Sequence, residues 1–446
     1  MPPADHALVE QLHPLVADRL SRWRAAQETA GRDVAAEDEQ QYAVQLIDQV
    51  LDEHAQRQIT RGAAPPDPGG AEDLARAIYA ALFRLGPLQP LLEDPDVENI
   101  NINGCDEVWL KYADGSVKQG PPVAASDQAL IELIQLIGSR MGPTPRRFDL
   151  GQPRLHLRLP NGSRLFALMG VSQRPVVSIR RHRLVQVSLD DLVELGTIDR
   201  GLHAFLATLV RARKNIVVAG ATNAGKTTML RALINEIPPR ERLVTIENAY
   251  ELGVHQPQLK RLHPDVTALE AREANVEGEG AITMAELVQS GLRLDPDRVI
   301  VGEVLGEEIL SMLLAMSQGN DGSMCTIHAR SSQEVFSRIA TYAIKSPERL
   351  PIEATNLLIA GAVDMVVFIE HRDQTALGGR HDRYVSSVRE VTGADGYRIT
   401  SNEIYQPGPD GRAVPRPGAP LRCLPDLQRH GFDPAWLDHP RGWWSP

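Results

Sequence analysis

The sequence has 446 residues, 42% of them hydrophobic and 24% charged, with a net charge of −11. That length predicts two or three domains with sizeable cores, and the acidic balance argues against stable nucleic-acid binding. The start, Met1-Pro2-Pro3, lacks a signal-peptide pattern, and the longest apolar run, Leu357 to Ile369, contains Asp364 and is too short to cross a bilayer. Cys105, Cys325 and Cys423 lie far apart without a CxxC pair, which disfavours a disulfide framework or zinc site and suits a reducing cytoplasm.

Residues 1–62 are expected to form a helical extension, with Val44, Ile47 and Leu51 at helical spacing. Residues 63–70, Ala-Ala-Pro-Pro-Asp-Pro-Gly-Gly, interrupt that pattern and are expected to be a linker. Residues 71–184 predict an α+β module. It has a helix ending at Gly86-Pro87, a strand at Glu107–Tyr112 before an Asp114-Gly115 turn, and strands at Arg164–Met169 and Val176–Ile179.

Residues 185–404 alternate apolar strands with helical segments, the pattern of a mostly parallel α/β sheet. The strands are expected at Asn215–Ala219, Leu243–Glu247, Val299–Val301, Ser323–Ile327 and Met365–Ile369, with a late hairpin at Gly378-Gly379 leading to Tyr384–Val391. Residues 405–446 are rich in proline and glycine and read as a loosely structured or partner-dependent tail.

The chemistry begins where Ile216-Val217-Val218-Ala219 enters Gly220-Ala221-Thr222-Asn223-Ala224-Gly225-Lys226-Thr227-Thr228. Small residues let backbone N–H groups wrap a phosphate closely, and Asn223 tolerates a left-handed conformation. Lys226 is placed to neutralise the terminal phosphates of ATP, and Thr227 to put its hydroxyl on Mg²⁺. Met229, Leu230, Leu233 and Ile234 give the following helix one apolar face before Pro238-Pro239. This is an ATP-binding P-loop in its required strand–loop–helix setting.

Two further strands end in acids: Leu243–Ile246 in Glu247, with Glu251 one turn later, and Val299–Val301 in Gly302-Glu303. Ligands of open α/β sheets bind beyond the carboxyl ends of the strands. Glu247 and Glu303 are therefore expected to serve Mg²⁺ and the attacking water, one holding the metal's water shell and the other orienting the nucleophile. A third strand ends in His328, where an imidazole can bond the γ-phosphate or the released product.

These residues resemble the type II/IV secretion-system ATPases, in particular the tight-adherence (Flp) pilus assembly branch. The resemblance spans about residues 72–403. It rests on four boxes in order, Gly220–Thr228, Thr245-Ile246-Glu247, Gly302-Glu303-Val304 and Gly319 to Ala329. Upstream matches are Gly86 to Leu92, Asn99 to Gly104, Pro160 to Arg164 and Ser178 to Arg181. The resemblance implies a RecA-like P-loop core behind a PAS-like N-terminal domain, and a homohexameric ring. It also implies ATP-driven work, pilus assembly or secretion, on a polytopic membrane platform protein at the cytoplasmic face. It gives Lys226 and Thr227 nucleotide and Mg²⁺ binding, and Glu247, Glu303 and His328 roles in hydrolysis. The sequence departs from the family pattern at Asn248, Leu305, Asn320 and His156, where aspartate, arginine, histidine and aspartate respectively are common. Among these, Leu305 removes a cation expected beside the nucleotide.

Between Arg140 and Arg183 stand ten arginines and the single acid Asp149. A solvated basic surface and contact with anionic headgroups both suit such a run. The sharper expectation is that Arg164, Arg180 and Arg181 bind the triphosphate, because the planar guanidinium pairs phosphate oxygens in two places.

Overall fold

In a computed structural model the described residues are 6–30, 35–62, 68–141, 146–181, 186–257, 259–272, 279–374 and 381–444. The chain divides into two compact units, Met1–Arg183 and Leu184–Pro446.

The first unit opens with helices α1 (His6–Thr29), α2 (Ala36–Thr60) and α3 (Pro68–Phe83). Leu12 and Val16 of α1, Ile47 and Val50 of α2 and Ile78 of α3 form one apolar core. The expected linker therefore needs correction: residues 63–67 lie outside the described residues, and residues 68–70 already belong to α3. Proline supports that start, since its fixed φ suits a first helical turn.

After the short α4 (Gln89–Glu93) come β1 (Val97–Asn103), β2 (Val108–Tyr112) and β3 (Val117–Gln119). Helix α5 (Asp127–Arg140) follows, capped by the Ser126 hydroxyl. Then β4 (Arg154–Arg158), β5 (Arg164–Leu168) and β6 (Val176–Arg180) complete an antiparallel sheet of order β3-β2-β1-β6-β5-β4. Alternation places Ile100, Ile102, Leu165, Ala167, Val177 and Ile179 in a second core with Leu130 and Ile134 of α5. One sheet backed by a helix is the expected PAS-like α+β layering.

The second unit begins with α6 (Leu189–Glu194) and α7 (Arg200–Arg211), capped by Ser188 and Asp199. The core chain then runs β7 (Ile216–Gly220), α8 (Lys226–Asn235), β8 (Leu243–Glu247), β9 (Val266–Glu270), α9 (Met284–Gly291), β10 (Arg298–Val304) and α10 (Glu308–Ser317). It continues through β11 (Met324–His328), α11 (Glu334–Lys345), α12 (Ile352–Ala362) and β12 (Met365–Asp373). The last elements are β13 (His381–Asp395), β14 (Arg398–Pro407), β15 (Ala413–Pro415) and α13 (Leu424–Arg429).

The nine strands order as β15-β14-β13-β12-β7-β11-β10-β8-β9. Strands β12, β7, β11, β10, β8 and β9 are parallel to their neighbours, and β13 to β15 extend the sheet antiparallel. All five residues of β7 are buried, as a strand covered on both faces requires. This is the RecA-like arrangement, with the P-loop strand inside the sheet. The turn of the expected β12–β13 hairpin, Gly378-Gly379, lies outside the described residues.

The segment after residue 404 is corrected from a loose tail to part of the fold. Leu427 and Phe432 join the core beside α7, with Phe432 5.5 Å from Phe205. The Trp443 backbone N–H donates to Asp199, and the Trp444 indole N–H donates to the Ala413 carbonyl at 2.9 Å. Among the described residues, no helix is long and apolar enough to cross a membrane.

Candidate nucleotide site

The loop between β7 and α8 has a demanding backbone. Asn223 sits at φ +62° and Gly225 at φ +94°, the left-handed region that asparagine and glycine tolerate. Gly220 is needed for space as well: a β-carbon there would lie 2.6 Å from the Ile369 carbonyl oxygen of β12. Loop residues Gly220 to Gly225 thus lead into α8, whose first residues are Lys226, Thr227 and Thr228. Exposed N–H groups at such a helix start favour anions.

Three side chains meet there: Lys226 at the start of α8, Glu303 near the end of β10 and His328 at the end of β11. Lys226 is buried; its Nζ donates to the Ala221 carbonyl at 3.1 Å and lies 3.2 Å from His328 Nδ1 and 3.8 Å from Glu303 Oε1. His328 Nε2 lies 2.8 Å from Glu303 Oε1. An ammonium only donates and a carboxylate only accepts, so the imidazole is neutral, with Nδ1 accepting from Lys226 and Nε2–H donating to Glu303. Its pKa is lowered by burial first and then by the Lys226 charge, against the pull of Glu303. Lys226, Glu303 and His328 are therefore one hydrogen-bonded cluster.

Glu247 is placed differently. It is only 2% exposed, and its Oε1 accepts the Glu251 and Leu252 backbone N–H groups at 2.7 Å each. Its Oε2 is buried and, among the described residues, has no hydrogen-bond partner. Burial pushes its pKa up to about 7; the two N–H bonds oppose the rise, and the Glu251 charge adds to it. The carboxylate that meets Thr227 is Glu251, whose Oε2 accepts from Thr227 Oγ1 at 3.2 Å. The sequence shows Glu251 one turn beyond Glu247, but only the bend held by the Glu247 carboxylate brings it to the loop. Buried Arg231 of α8 completes this pole, with its charge acting on both glutamates. Its helical position among apolar neighbours gave no signal for that role.

Arg164 and Arg180 lie opposite each other on β5 and β6 of the first unit, with Arg158 next in the same row. Arg180 is exposed. Arg181 donates to the Asp94 carbonyl and, at 3.0 Å, to the Val97 carbonyl. Other arginines of the run serve the fold. Arg174 pairs with Asp127 and Asp106, Arg146 donates to the His156 carbonyl, and Arg140 to the Leu82 carbonyl. Of the departures, Asn248 is exposed and Leu305 is 51% exposed. Asn320 donates to the Pro296 carbonyl at 2.6 Å, a purely structural bond. His156 stacks edge-on against Phe166.

Comparison with known proteins bears on the chain as a whole. Residues 85–375 match the sequence profile of the type II/IV secretion system proteins. A Mycobacterium tuberculosis protein named for conjugal transfer is 32% identical over 335 residues, covering 73% of this chain and 91% of its own length. Protein VirB11 of Agrobacterium fabrum is 31% identical over 322 residues, 66% of this chain and 91% of its own. Among solved structures, the VirB11 ATPase of the Brucella suis type IV secretion system is 27% identical, with 70% of this chain and 94% of that one covered and a TM-score of 0.36.

Proposed function

The chain belongs to the type II/IV secretion system protein family, and we propose on that premise that it is an ATPase whose turnover drives a pilus-assembly or secretion machine. The observation that carries this reading is the Lys226–His328–Glu303 cluster at the mouth of a P-loop.

Lys226 holds the β- and γ-phosphates once they replace the Ala221 carbonyl and His328 as its partners. That exchange leaves His328 Nδ1, still an acceptor, free to take one hydrogen of the water beside the γ-phosphate, while Glu303 keeps the imidazole oriented and accepts that water's other hydrogen. The loop N–H groups from Ala221 to Thr228 and the start of α8 cradle the phosphates.

The residues fit Mg²⁺ in its usual nucleotide-borne form, which takes one or two protein oxygens and completes its shell with phosphate and water. Thr227 and Glu251, already 3.2 Å apart, supply those oxygens. When bound, the ion neutralises charge on the β- and γ-phosphates. Glu247, partly neutral near pH 7, shapes the Glu251 bend and stands behind this pole. Arg164, Arg180 and Arg181 belong to the proposal as further triphosphate ligands, with exposed Arg180 the first to test.

The proposed assembly is a homohexameric ring, of the tight-adherence pilus branch, working in the cytoplasm and reaching the membrane through a polytopic platform protein. Phosphate release by the purified protein, with Lys226→Ala and Arg180→Ala alongside and mass measured with and without nucleotide, tests the reading. Wild-type protein that binds ATP but releases phosphate no faster than Lys226→Ala would make the chain a nucleotide-gated scaffold instead.

A further inference from the structure

The members of the Lys226 cluster are anchored by three different pieces of backbone. Lys226 follows the phosphate loop directly. The turn after Glu303 is held by the Glu308 carboxylate, which accepts the Leu305 and Gly306 backbone N–H groups. The turn after His328 reads Ala329-Arg330-Ser331-Ser332-Gln333 and carries no apolar side chain beyond Ala329. Polar bonds must therefore fix it. The Ala329 N–H donates to the Gly220 carbonyl at 3.4 Å. Glu334 closes the turn on itself, accepting the Arg330 N–H at 2.7 Å and donating its own N–H to Ser331 Oγ at 3.1 Å.

Ser332 ties this turn to the antiparallel extension of the sheet. It is 3% exposed, and its Oγ accepts from the Ser387 hydroxyl at 2.9 Å and from Arg389 Nε at 3.3 Å. Ser387 and Arg389 stand two residues apart on β13 and so share one of its faces. Two β-bulges bracket Arg389: Ser386 is the extra residue of β13 against β12, and Ile404 that of β14 against β13. Bulges re-aim side chains and recur beside active sites. The other Arg389 nitrogens are used within the extension, Nη2 on Glu403 Oε1 at 3.0 Å and Nη1 on Ser401 Oγ at 3.4 Å. Glu403 Oε2 in turn lies 3.8 Å from Arg416, beyond β15. The Arg389 charge is thus paired inside the extension alone, and the bond from Nε to Ser332 acts on the turn.

We propose that Arg389 is a positioning residue for hydrolysis: through Ser332 it fixes the turn after His328 and thereby holds the imidazole in line with Glu303 and the attacking water. The proposal rests on the ATP reading above. His328 must keep Nδ1 on the water and Nε2–H on Glu303 at once, which leaves the ring one orientation. The segment that carries it is pinned on one side by the pairing of β11 with β7 and on the other by Ser332. A misplacement of about 1 Å can cost about 10²-fold in rate even when its cause is remote from the chemistry. The extension from β13 to β15 thereby belongs to the turnover device, since a shift of Arg389 with Glu403 and Arg416 displaces the turn.

Steady-state and single-turnover ATP hydrolysis by the full chain decides the matter, with urea titrations alongside. The variants are Ser332→Ala, Arg389→Ala, Arg389→Lys, the double alanine variant, and His328→Gln with and without Arg389→Ala. Ser332→Ala removes a single hydroxyl, so it carries the test if Arg389→Ala folds poorly. The expected result is a loss of about tenfold in kcat for each alanine variant, with KM kept within about twofold. The double variant loses no more than Arg389→Ala, and Arg389→Lys, which can still donate to Ser332, recovers most of the loss. In His328→Gln, whose amide oxygen still accepts from water, adding Arg389→Ala costs nothing further. Normal kcat in Ser332→Ala and Arg389→Ala overturns the proposal. So does a loss carried by KM, an additive loss in the double variant, or a further tenfold loss in the His328→Gln background; each separates Arg389 from the imidazole. Wild type that hydrolyses ATP no faster than Lys226→Ala sinks the ATPase reading itself, and this proposal with it.

Discussion

Strand β10 carries a charged side chain at each end, and the two are held in opposite ways. At its start Arg298 is fully buried, with Nε and Nη2 forking onto Glu241 at 2.7 and 2.8 Å and Nη1 on the Val210 carbonyl at 2.9 Å. Gly322, at φ +87°, leaves room for it; a β-carbon there would lie 2.6 Å from Nη1. At the other end Glu303 is 39% exposed, lies 2.8 Å from His328 and stands 3.8 Å from Lys226. A buried charge tied at all three nitrogens to a carboxylate and a carbonyl fixes a structure. Charges that hold one another loosely beside open loop N–H groups can exchange partners when a phosphate arrives.

That contrast can be broken from either end. Lys226→Ala should abolish ATP turnover to background in a phosphate-release assay while leaving the urea midpoint nearly unchanged. Glu303→Gln should lower kcat by about 10²- to 10⁴-fold, the usual contribution of proton transfer by a positioned group, again with little change in stability. Arg298→Ala should do the reverse. Emptying a fully buried site and leaving Glu241 with Arg213 alone should lower unfolding free energy by about 3 kcal/mol, read by denaturant titration, while the ATP Kd of the folded fraction is kept. A strongly destabilised Glu303→Gln, or an Arg298→Ala that unfolds like wild type, would erase the distinction.

Smaller effects come from pH, with opposite signs for two groups. His328 has a folded pKa below its ordinary 6.5. Its neutral form, and the stability that form brings, is complete above pH 6.5 and is lost as pH falls toward the folded value. The acid limb of kcat/KM, which reports the free enzyme, should therefore lie below pH 6.5 and disappear in His328→Gln. Glu247, raised from 4.5 to about 7, favours the folded state most below pH 4.5 and loses that contribution as pH rises through 7. Glu247→Gln should flatten that part of the stability–pH curve between 4.5 and 7.

What the sequence disclosed followed from local rules. β7, its loop and α8 were legible because a strand buried on both faces, a run of small residues and an apolar helix face each leave a signature in consecutive positions. Glu303 and His328 were legible as strand ends beside Lys226, whereas Glu247, read the same way, is buried and holds the backbone bend instead. Glu251 was not legible, because its place depends on a bend made by the Glu247 carboxylate. Arg389 was hidden for a similar reason, lying 57 residues from the Ser332 hydroxyl it holds. The segment after residue 404 was misread because its prolines and glycines outweighed Leu427, Phe432, Trp443 and Trp444, whose partners lie on α7 and β15. The arginine run was dense because several of its members tie strands and loops of the first unit together, a use that composition does not reveal.

The grip of Asp199 on the Trp443 backbone has a practical meaning for anyone handling the protein. The same carboxylate caps α7 through Leu202 and is 2% exposed. Deleting the last few residues would leave an acidic oxygen stranded beneath the helix that backs α8. The intrinsic fluorescence of Trp443 and Trp444 therefore offers a built-in gauge of whether that seal is closed.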